Sequence, residues 1–267
     1  MDRDREPQRW ALGLDYFGAA YCGWQRQVGQ PSVQAELERA LTQIAQQPIS
    51  VIAAGRTDTG VHASLQVVHF DVPRDLLREE TAWIRGSNQF LPSDVSVRWA
   101  KRVDSLFHAR FAATSRRYVY LLASQPQRPG LMHGRVGWTH WPQEISRVVT
   151  AMTSLVGTHD FTSFRAAECQ AKSPIKTIHS ATVCEQNGLL RFDFHADAFL
   201  HHMIRNIVGA MVYIGSGRQP AEWVDALLAA KDRTKAAPTF SAAGLYLAGI
   251  EYDAKFAIPE AFVDPIL

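Results

Sequence analysis

The chain has 267 residues, of which 46% are hydrophobic and 20% charged, and a formal net charge of +2. This composition is typical of a globular protein with a sizeable core. The first ten residues carry charges of both signs and no apolar run, so we expect no secretory signal peptide. No apolar run approaches the roughly 20 residues that span a bilayer. Three cysteines, an odd number without a CxxC pair, argue against a disulfide framework or a thiolate zinc site and favour a cytoplasmic protein.

Hydrophobic periodicity predicts mixed strands and helices in the first part of the chain. Ser32 is expected to cap the first helix, because its hydroxyl can accept a hydrogen bond from the first turn, and Pro48 ends that helix. Strands are predicted at 10–16, 51–54, 66–70 and 95–101, and a second helix at 75–89.

The second part continues this mixture. Asn187-Gly188 predicts a tight hairpin turn between two of its strands. Because no βαβ rhythm is present and the hairpin favours antiparallel pairing, we expect an α+β class, with two halves at 1–105 and 106–267. Strands are predicted at 117–122, 181–185, 189–196 and 249–252, and helices from Pro142, at 201–214 and at 220–230.

An acid-free stretch runs from Ser105 to Gln143. Arginines interleaved with aromatic residues suit a phosphate backbone and unstacked bases. An ordinary solvated basic face is the alternative. The arginines are Arg110, Arg116, Arg117, Arg128 and Arg135, and the aromatic residues are Phe107, Phe111, Tyr118, Tyr120, Trp138 and Trp141.

The densest polar cluster is GRTDTGVHA, at 55–63, directly after a short apolar strand. Its glycines allow a tight turn that presents a side chain at the strand end. Arg56 can keep Asp58 ionised, and a partly desolvated carboxylate can act as a nucleophile or base. From the residues alone, a network that merely pins the loop explains the pattern equally well.

Asp58 and His62 also have a spacing found in metal sites, which the 159–160 or 201–202 pairs could complete. We expect no metal, because the glycines favour a loop and adjacent histidines diverge on a helix. Neither a GxGxxG nor a GxxxxGK[ST] phosphate-binding motif is present in the sequence.

These motifs resemble those of the tRNA pseudouridine synthase A (TruA) family. GRTDTGVHA is similar to the family signature, although Phe17 stands where the family usually has Asp, and Thr59 where it usually has Ala. The flanking strings that match in order are YCGWQRQ at 21–27, SVQAELERAL at 32–41, FHARFAATSRRYVY at 107–120, HDFTSFR at 159–165, FLHHMIRNIVG at 199–209 and GLYL at 244–247.

The resemblance implies an isomerase that converts uridines 38, 39 and 40 of the tRNA anticodon stem-loop to pseudouridine, with no cofactor and no metal. It implies that Asp58 is the catalytic carboxylate, that Tyr118 stacks on the target uracil, and that Arg205 pairs with Asp58. Arg56 is implied to help extrude the base. The further substrate-binding residues are Arg110, Arg116 and Arg117.

The resemblance also implies two ferredoxin-like halves that share a continuous antiparallel sheet, with the active-site cleft between them. Family members are homodimers that bind tRNA across both subunits in the cytoplasm. Two rival functions remain open: a metal-dependent nuclease that uses Asp58, His62 and Asp160, and a non-catalytic RNA-binding module.

Overall fold

The computed structural model describes residues 7–265, which form two compact units. Of the described residues, the first unit comprises 7–114 and 247–265, and the second comprises 115–246. The sequence predicted halves at 1–105 and 106–267. In the structure residues 247–265 group with the first unit. The N-terminal segment on which the signal-peptide expectation rests lies mostly outside the described residues.

The first unit is built on an antiparallel sheet. Its strands are β1 (Gln8–Tyr16), β2 (Ile52–Ala53), β3 (His62–Val72) and β4 (Val95–Val103), with β10 (Leu245–Tyr252) entering the unit at residue 247. The strand order is β4-β1-β3-β10, and β2 pairs with residues 68–69 of β3. The central strand β1 pairs with both β3 and β4, so it is buried along most of its length.

Helix α1 (Val33–Ala45) packs against the segment at 82–90 and begins as predicted. The backbone N–H of Ala35 donates to the Ser32 hydroxyl at 3.4 Å, which confirms the predicted cap. Val33 and Leu37 on its inner face are completely buried.

The prediction of a helix at 75–89 is wrong for its first residues. A π-helical turn at Ala82–Gly86 leads into the short helix α2 (Ser87–Phe90), and residues 75–79 are not helical. Leu77 is 81% exposed, so this segment has no apolar face to hold a helix against the core. Trp83 is the first residue of this region that packs into the core. Its ring centroid lies 5.9 Å from that of Trp10 and 5.0 Å from that of Phe70.

The strands of the second unit follow the order β5-β9-β8-β7, with β6 parallel to β5. The turn at Asn187 and Gly188 has positive φ at both residues, as the predicted hairpin requires. The short strands β6 and β7 were not predicted, because three or four residues carry no clear alternation. The strands are β5 (Ala113–Ser124), β6 (Gly137–Thr139), β7 (Gly157–Asp160), β8 (Ile175–Gln186) and β9 (Leu189–Ala196).

Helix α4 (Met203–Gly215) is the core of the second unit, since almost all of its side chains are buried. Helix α3 (Ile145–Thr153) packs against α4 and β8, and α5 (Trp223–Ala230) completes the set. The helices α3, α4 and α5 each begin two or three residues later than predicted. Both units mix helices with largely antiparallel strands, which confirms the α+β class. None of the helices among residues 7–265 has the length and apolar character to traverse a lipid bilayer.

One buried group makes stability depend on pH. His69 in β3 is 2% exposed and accepts a hydrogen bond from the Ala109 N–H at Nδ1, at 3.1 Å. Burial, assisted by the charge of Arg9, lowers the pKa of His69 from 6.5 to about 4. The folded ring therefore stays neutral over a range in which the unfolded ring takes up a proton.

We predict that this difference destabilises the protein as the pH falls from 6.5 towards 4, by up to about 3 kcal/mol. The His69→Asn variant keeps an acceptor for Ala109 but has no titrating ring, so its unfolding free energy should fall less over the same range. Urea unfolding at several pH values checks this. Identical pH dependence in the two proteins would contradict it.

Candidate active site

The loop between β2 and β3 carries Asp58, and its first two residues are hydrogen-bonded to β3. The Ala54 N–H donates to the Val67 carbonyl at 2.8 Å, and the Gln66 side chain donates to the Gly55 carbonyl at 2.8 Å. Within the loop, the Val61 N–H donates to the Asp58 carbonyl at 3.1 Å. The sequence placed His62 in this loop, but it is the first residue of β3.

Thr57, directly before Asp58, is buried and hydrogen-bonded on two sides. Its hydroxyl lies 2.8 Å from the hydroxyl of Tyr16, which is also buried. Its carbonyl accepts from the Trp24 N–H at 3.0 Å. Burial raises the pKa of Tyr16 far above its usual range, so this phenol is neutral and can donate to Thr57. The backbone before Asp58 is thereby held to both β1 and the first loop.

The first loop, at 18–29, packs directly on the Asp58 loop. Gly23 has φ +91°, and a Cβ there would lie 2.6 Å from the Thr57 carbonyl oxygen and 3.1 Å from the Asp58 carbonyl carbon. Only glycine combines this backbone conformation with so close an approach. The Gly60 N–H donates to the Tyr21 carbonyl at 3.3 Å, so contacts are made on both sides of Asp58.

Phe17, the departure from the family pattern, has a defined packing role. Its ring stacks on the imidazole of His62, with centroids 4.7 Å apart and planes 6° apart. The Gly18 N–H donates to His62 Nδ1 at 2.9 Å. His62 is 1% exposed, so it is a structural residue that links the first loop to the start of β3.

Asp58 and Arg56 emerge from this fixed backbone with different exposure. Asp58 is half-buried and Arg56 is exposed, while Thr57 between them is buried. A half-buried carboxylate on a rigid loop is partly desolvated yet accessible, which suits a nucleophile or base. An exposed arginine beside it suits contact with a polyanion.

In the second unit, Tyr118 and Tyr120 lie two residues apart on β5 but differ in environment. Tyr120 is completely buried and donates to the Ser241 carbonyl at 2.9 Å. Tyr118 is half-buried and meets the ring of Phe199 edge-on, with centroids 5.2 Å apart and planes 80° apart. Tyr120 is therefore a core residue, and Tyr118 presents part of its ring to solvent. The contact with Phe199 was not foreseen, although Phe199 begins one of the matching strings.

Arg205 lies on α4 and makes two hydrogen bonds with one residue, Phe240. Its Nε donates to the Phe240 carbonyl at 2.9 Å, and the Phe240 N–H donates to the Arg205 carbonyl at 3.2 Å. The side chain is half-buried. The bond through Nε sets the plane of the guanidinium, whose terminal amino groups have the fork geometry that matches a carboxylate.

The start of α4 has unusual backbone geometry. His202 has φ +61° and precedes the helix, and its carbonyl accepts from the Asn206 N–H at 2.9 Å. The rings of His201 and His202 lie 4.0 Å apart at 36°. The two histidines therefore lie close together instead of diverging, because the left-handed residue places them before the first helical turn.

The predicted substrate-binding arginines lie in different places. Arg110 belongs to the first unit and is exposed, with its guanidinium carbon 5.7 Å from the Phe111 ring centroid. Arg116 and Arg117 lie on β5 beside Tyr118 and are half-buried. Arg116 donates to the Asp197 carbonyl at 2.9 Å. Thus β5 carries two of the four predicted arginines, and strand alternation places Arg116 on the same face as Tyr118 and Arg117 on the opposite face.

Asp160, the residue that the nuclease alternative requires, is engaged in local structure. Its Oδ1 accepts from both the backbone N–H and the hydroxyl of Thr162, at 3.0 and 2.6 Å, and its Oδ2 lies 3.5 Å from Lys231 Nζ. Partial burial alone would raise the pKa of Asp160, but these partners lower it overall. This carboxylate acts as a cap at the end of β7, which weakens its case as a metal ligand.

Comparison with known proteins identifies the family of the chain. A sequence model described as tRNA pseudouridine synthase matches residues 12–112 and 151–253. The tRNA pseudouridine synthase A of Dechloromonas aromatica is 53% identical over 262 residues, covering 97% of this chain and 99% of that protein. That of Nitrosomonas eutropha is 52% identical over 248 residues, covering 93% and 89%. That of Thiobacillus denitrificans is 53% identical over 253 residues, covering 95% and 96%.

The matched segments include the Asp58 loop, the first loop and α4. The relatives named above match this chain over nearly the whole length of both proteins. The chain therefore belongs to the tRNA pseudouridine synthase A (TruA) family of isomerases.

Proposed function

We propose that this protein converts uridines 38, 39 and 40 in the anticodon stem-loop of tRNA to pseudouridine, with Asp58 as the catalytic carboxylate. The observation that carries the proposal is the fixed, half-buried position of Asp58, next to a threonine held by Tyr16 and by the first loop. Membership of the tRNA pseudouridine synthase A family supports the reaction and the class of substrate.

The reaction breaks the bond between ribose C1′ and uracil N1, turns the base and rejoins it through C5. The proton at C5 is lost and N1 gains one, so there is no net redox change and no cofactor is required. A base within a stem must first be flipped out of the duplex. Asp58 then acts as nucleophile or base at the bond-breaking step, a role that needs an ionised carboxylate.

Tyr118 is proposed to stack on the flipped uracil. The support is its environment: it is the tyrosine of the RRYVY string that is not buried in the core, and Phe199 holds its ring from one edge. A ring fixed in this way can form an offset stack with a pyrimidine without losing further side-chain entropy.

Arg205 is proposed to support the ionised form of Asp58. A guanidinium near a carboxylate favours the charged form and fixes its orientation. The support is that the Phe240 carbonyl sets the orientation of the Arg205 side chain before substrate arrives. Arg205 acts on the reaction through Asp58 and is therefore a positioning residue in this scheme.

The remaining arginines are proposed to bind the anticodon arm. Arg56 and Arg110 are exposed, while Arg116 and Arg117 precede Tyr118 on β5. RNA helices are read mainly through shape, phosphates and 2′-hydroxyls, which suits separate arginines more than one dense basic helix. We further propose that the protein works as a homodimer in the cytoplasm, as the resemblance to its family implies.

The first prediction concerns Asp58 itself. Asp58→Ala should keep tRNA binding within about tenfold of wild type, roughly 1.4 kcal/mol, while abolishing pseudouridine formation, because the residue supplies chemistry and not affinity. Product is measured by release of tritium from C5-labelled uridine, and binding by filter retention. Wild-type-like product from the variant would support a non-catalytic RNA-binding module instead. Cleavage of tRNA by the wild type that stops in EDTA and returns with a divalent ion would support the nuclease.

The second prediction tests the support of the Asp58 loop. Gly23→Ala should lower the single-turnover rate at least tenfold, since its methyl group displaces the backbone at Thr57 and a shift of about 1 Å can reduce a rate 100-fold. Gly29→Ala is a matched control, because Gly29 also has positive φ (+72°) but has open space around it. Equal rates for the two variants would show that the close approach of Gly23 does not position Asp58.

The third prediction concerns Arg205. Arg205→Leu should lower the single-turnover rate by about tenfold or more, as expected from loss of 1.4 kcal/mol or more of support in the transition state. Affinity for tRNA should change less. Arg205→Lys, which keeps the charge but loses the planar fork, should have an intermediate rate. An unchanged rate in Arg205→Leu would contradict the support of Asp58 by Arg205.

A further inference from the structure

Three rings of the first unit form a ladder, which we define as His69, His108 and Phe111. The centroids of His69 and His108 are 4.7 Å apart at 58°, and those of His108 and Phe111 are 4.3 Å apart at 27°. The inner rung, His69, is 2% exposed, whereas the outer rung, Phe111, is 78% exposed. The ladder therefore leads from the core to an aromatic ring in solvent.

Hydrogen bonds fix the ladder, so Phe111 is not simply a loose side chain. The backbone N–H groups of Arg110 and Phe111 both lie 3.2 Å from His108 Nδ1 and donate to it. Between the histidines, Ala109 donates to His69 and its carbonyl accepts from the Tyr252 hydroxyl at 2.7 Å. The backbone at 109–111 is thus tied to the buried His69 and to the half-buried His108 and Tyr252.

Both imidazoles of the ladder are suited to stacking without charge. Burial lowers the pKa of His69 to about 4, and burial with the nearby Arg9 charge also lowers the pKa of His108. The acidic group beside the ladder, Asp71, is held by two bonds from Arg9, each 2.7 Å long. Its negative charge is therefore balanced where a polyanion would approach.

We propose that the ladder is a platform on which an unpaired base of the tRNA substrate stacks against Phe111. A rigid, exposed aromatic ring offers a nucleobase a stacking surface at little entropic cost. Arg110, exposed and next to Phe111, has the charge to contact the phosphate of the same nucleotide. This inference rests on the proposed function for the identity of the RNA, and it adds a contact that is separate from Asp58.

The test compares three variants as full-length proteins. Phe111→Ala should raise the Kd for tRNA about 5- to 100-fold, the range for loss of one stacked base. Phe111→Trp, which keeps a stacking ring, should remain within about threefold of wild type. Leu106→Ala is the matched control, since Leu106 is 79% exposed in the same segment but has no ring, and it should bind as wild type does.

A second probe identifies what the ring contacts. A fully paired RNA duplex has no base free to stack, so its affinity should be the same for wild type and Phe111→Ala. Product formation by wild type measures the proposed function independently, so failure of the platform would not be confused with failure of the activity.

Several results would overturn the platform. Unchanged tRNA affinity in Phe111→Ala, or an equal loss for tRNA and duplex, would remove stacking as the contact. An equal loss in Leu106→Ala would show that any apolar group in the segment suffices. A change in sedimentation of Phe111→Ala from dimer to monomer would assign the exposed ring to contact between copies of the chain.

Discussion

The hydrogen bond between the buried hydroxyls of Tyr16 and Thr57 is the interaction on which the Asp58 loop depends. Leaving one such hydroxyl buried and unpaired costs about 1–3 kcal/mol, so both must stay in place. The bond ties the loop to the central strand β1, and the approach of Gly23 closes the other side. Asp58 is consequently presented by backbone with little freedom to move, which a carboxylate aimed at one bond requires.

In the second unit, a buried helix and a strand hold the proposed site residues in place. Helix α4 is buried along almost all of its side chains, and apolar burial contributes roughly 1.5–3 kcal/mol for each large side chain. Arg205 lies on this rigid helix, and the Phe240 carbonyl sets the direction of its guanidinium. Tyr118 lies on β5, supported by Phe199. Arg205 and Tyr118 thus lie on a helix and a strand of the second unit, whereas Asp58 lies on a loop fixed by hydrogen bonds.

Local patterns predicted much of this arrangement. Helical periodicity found α1 and α4, and Asn187-Gly188 found the hairpin, because each signal is contained within a few residues. The short strands β6 and β7 lack such a signal, and the segment at 75–79 was assigned to a helix although it has no face to bury.

The candidate site shows the same limit. Glycine spacing and the family strings pointed to Asp58, but residues 41 apart in the chain make the Tyr16–Thr57 bond, and no periodicity records such a contact. The stacking of Phe17 on His62 could not be predicted from the sequence either, because the sequence showed only that Phe17 departs from the family pattern. The roles of Tyr118 and Arg205 came from resemblance and not from their own residue patterns.

The most direct test of the central claim is to map pseudouridine at single-nucleotide resolution in unmodified tRNA, after incubation with the purified wild-type protein or with Asp58→Ala. The account predicts new pseudouridine at positions 38, 39 and 40 wherever these are uridines, and none with the variant. Pseudouridine only at other positions, or the same pattern from both proteins, would contradict it.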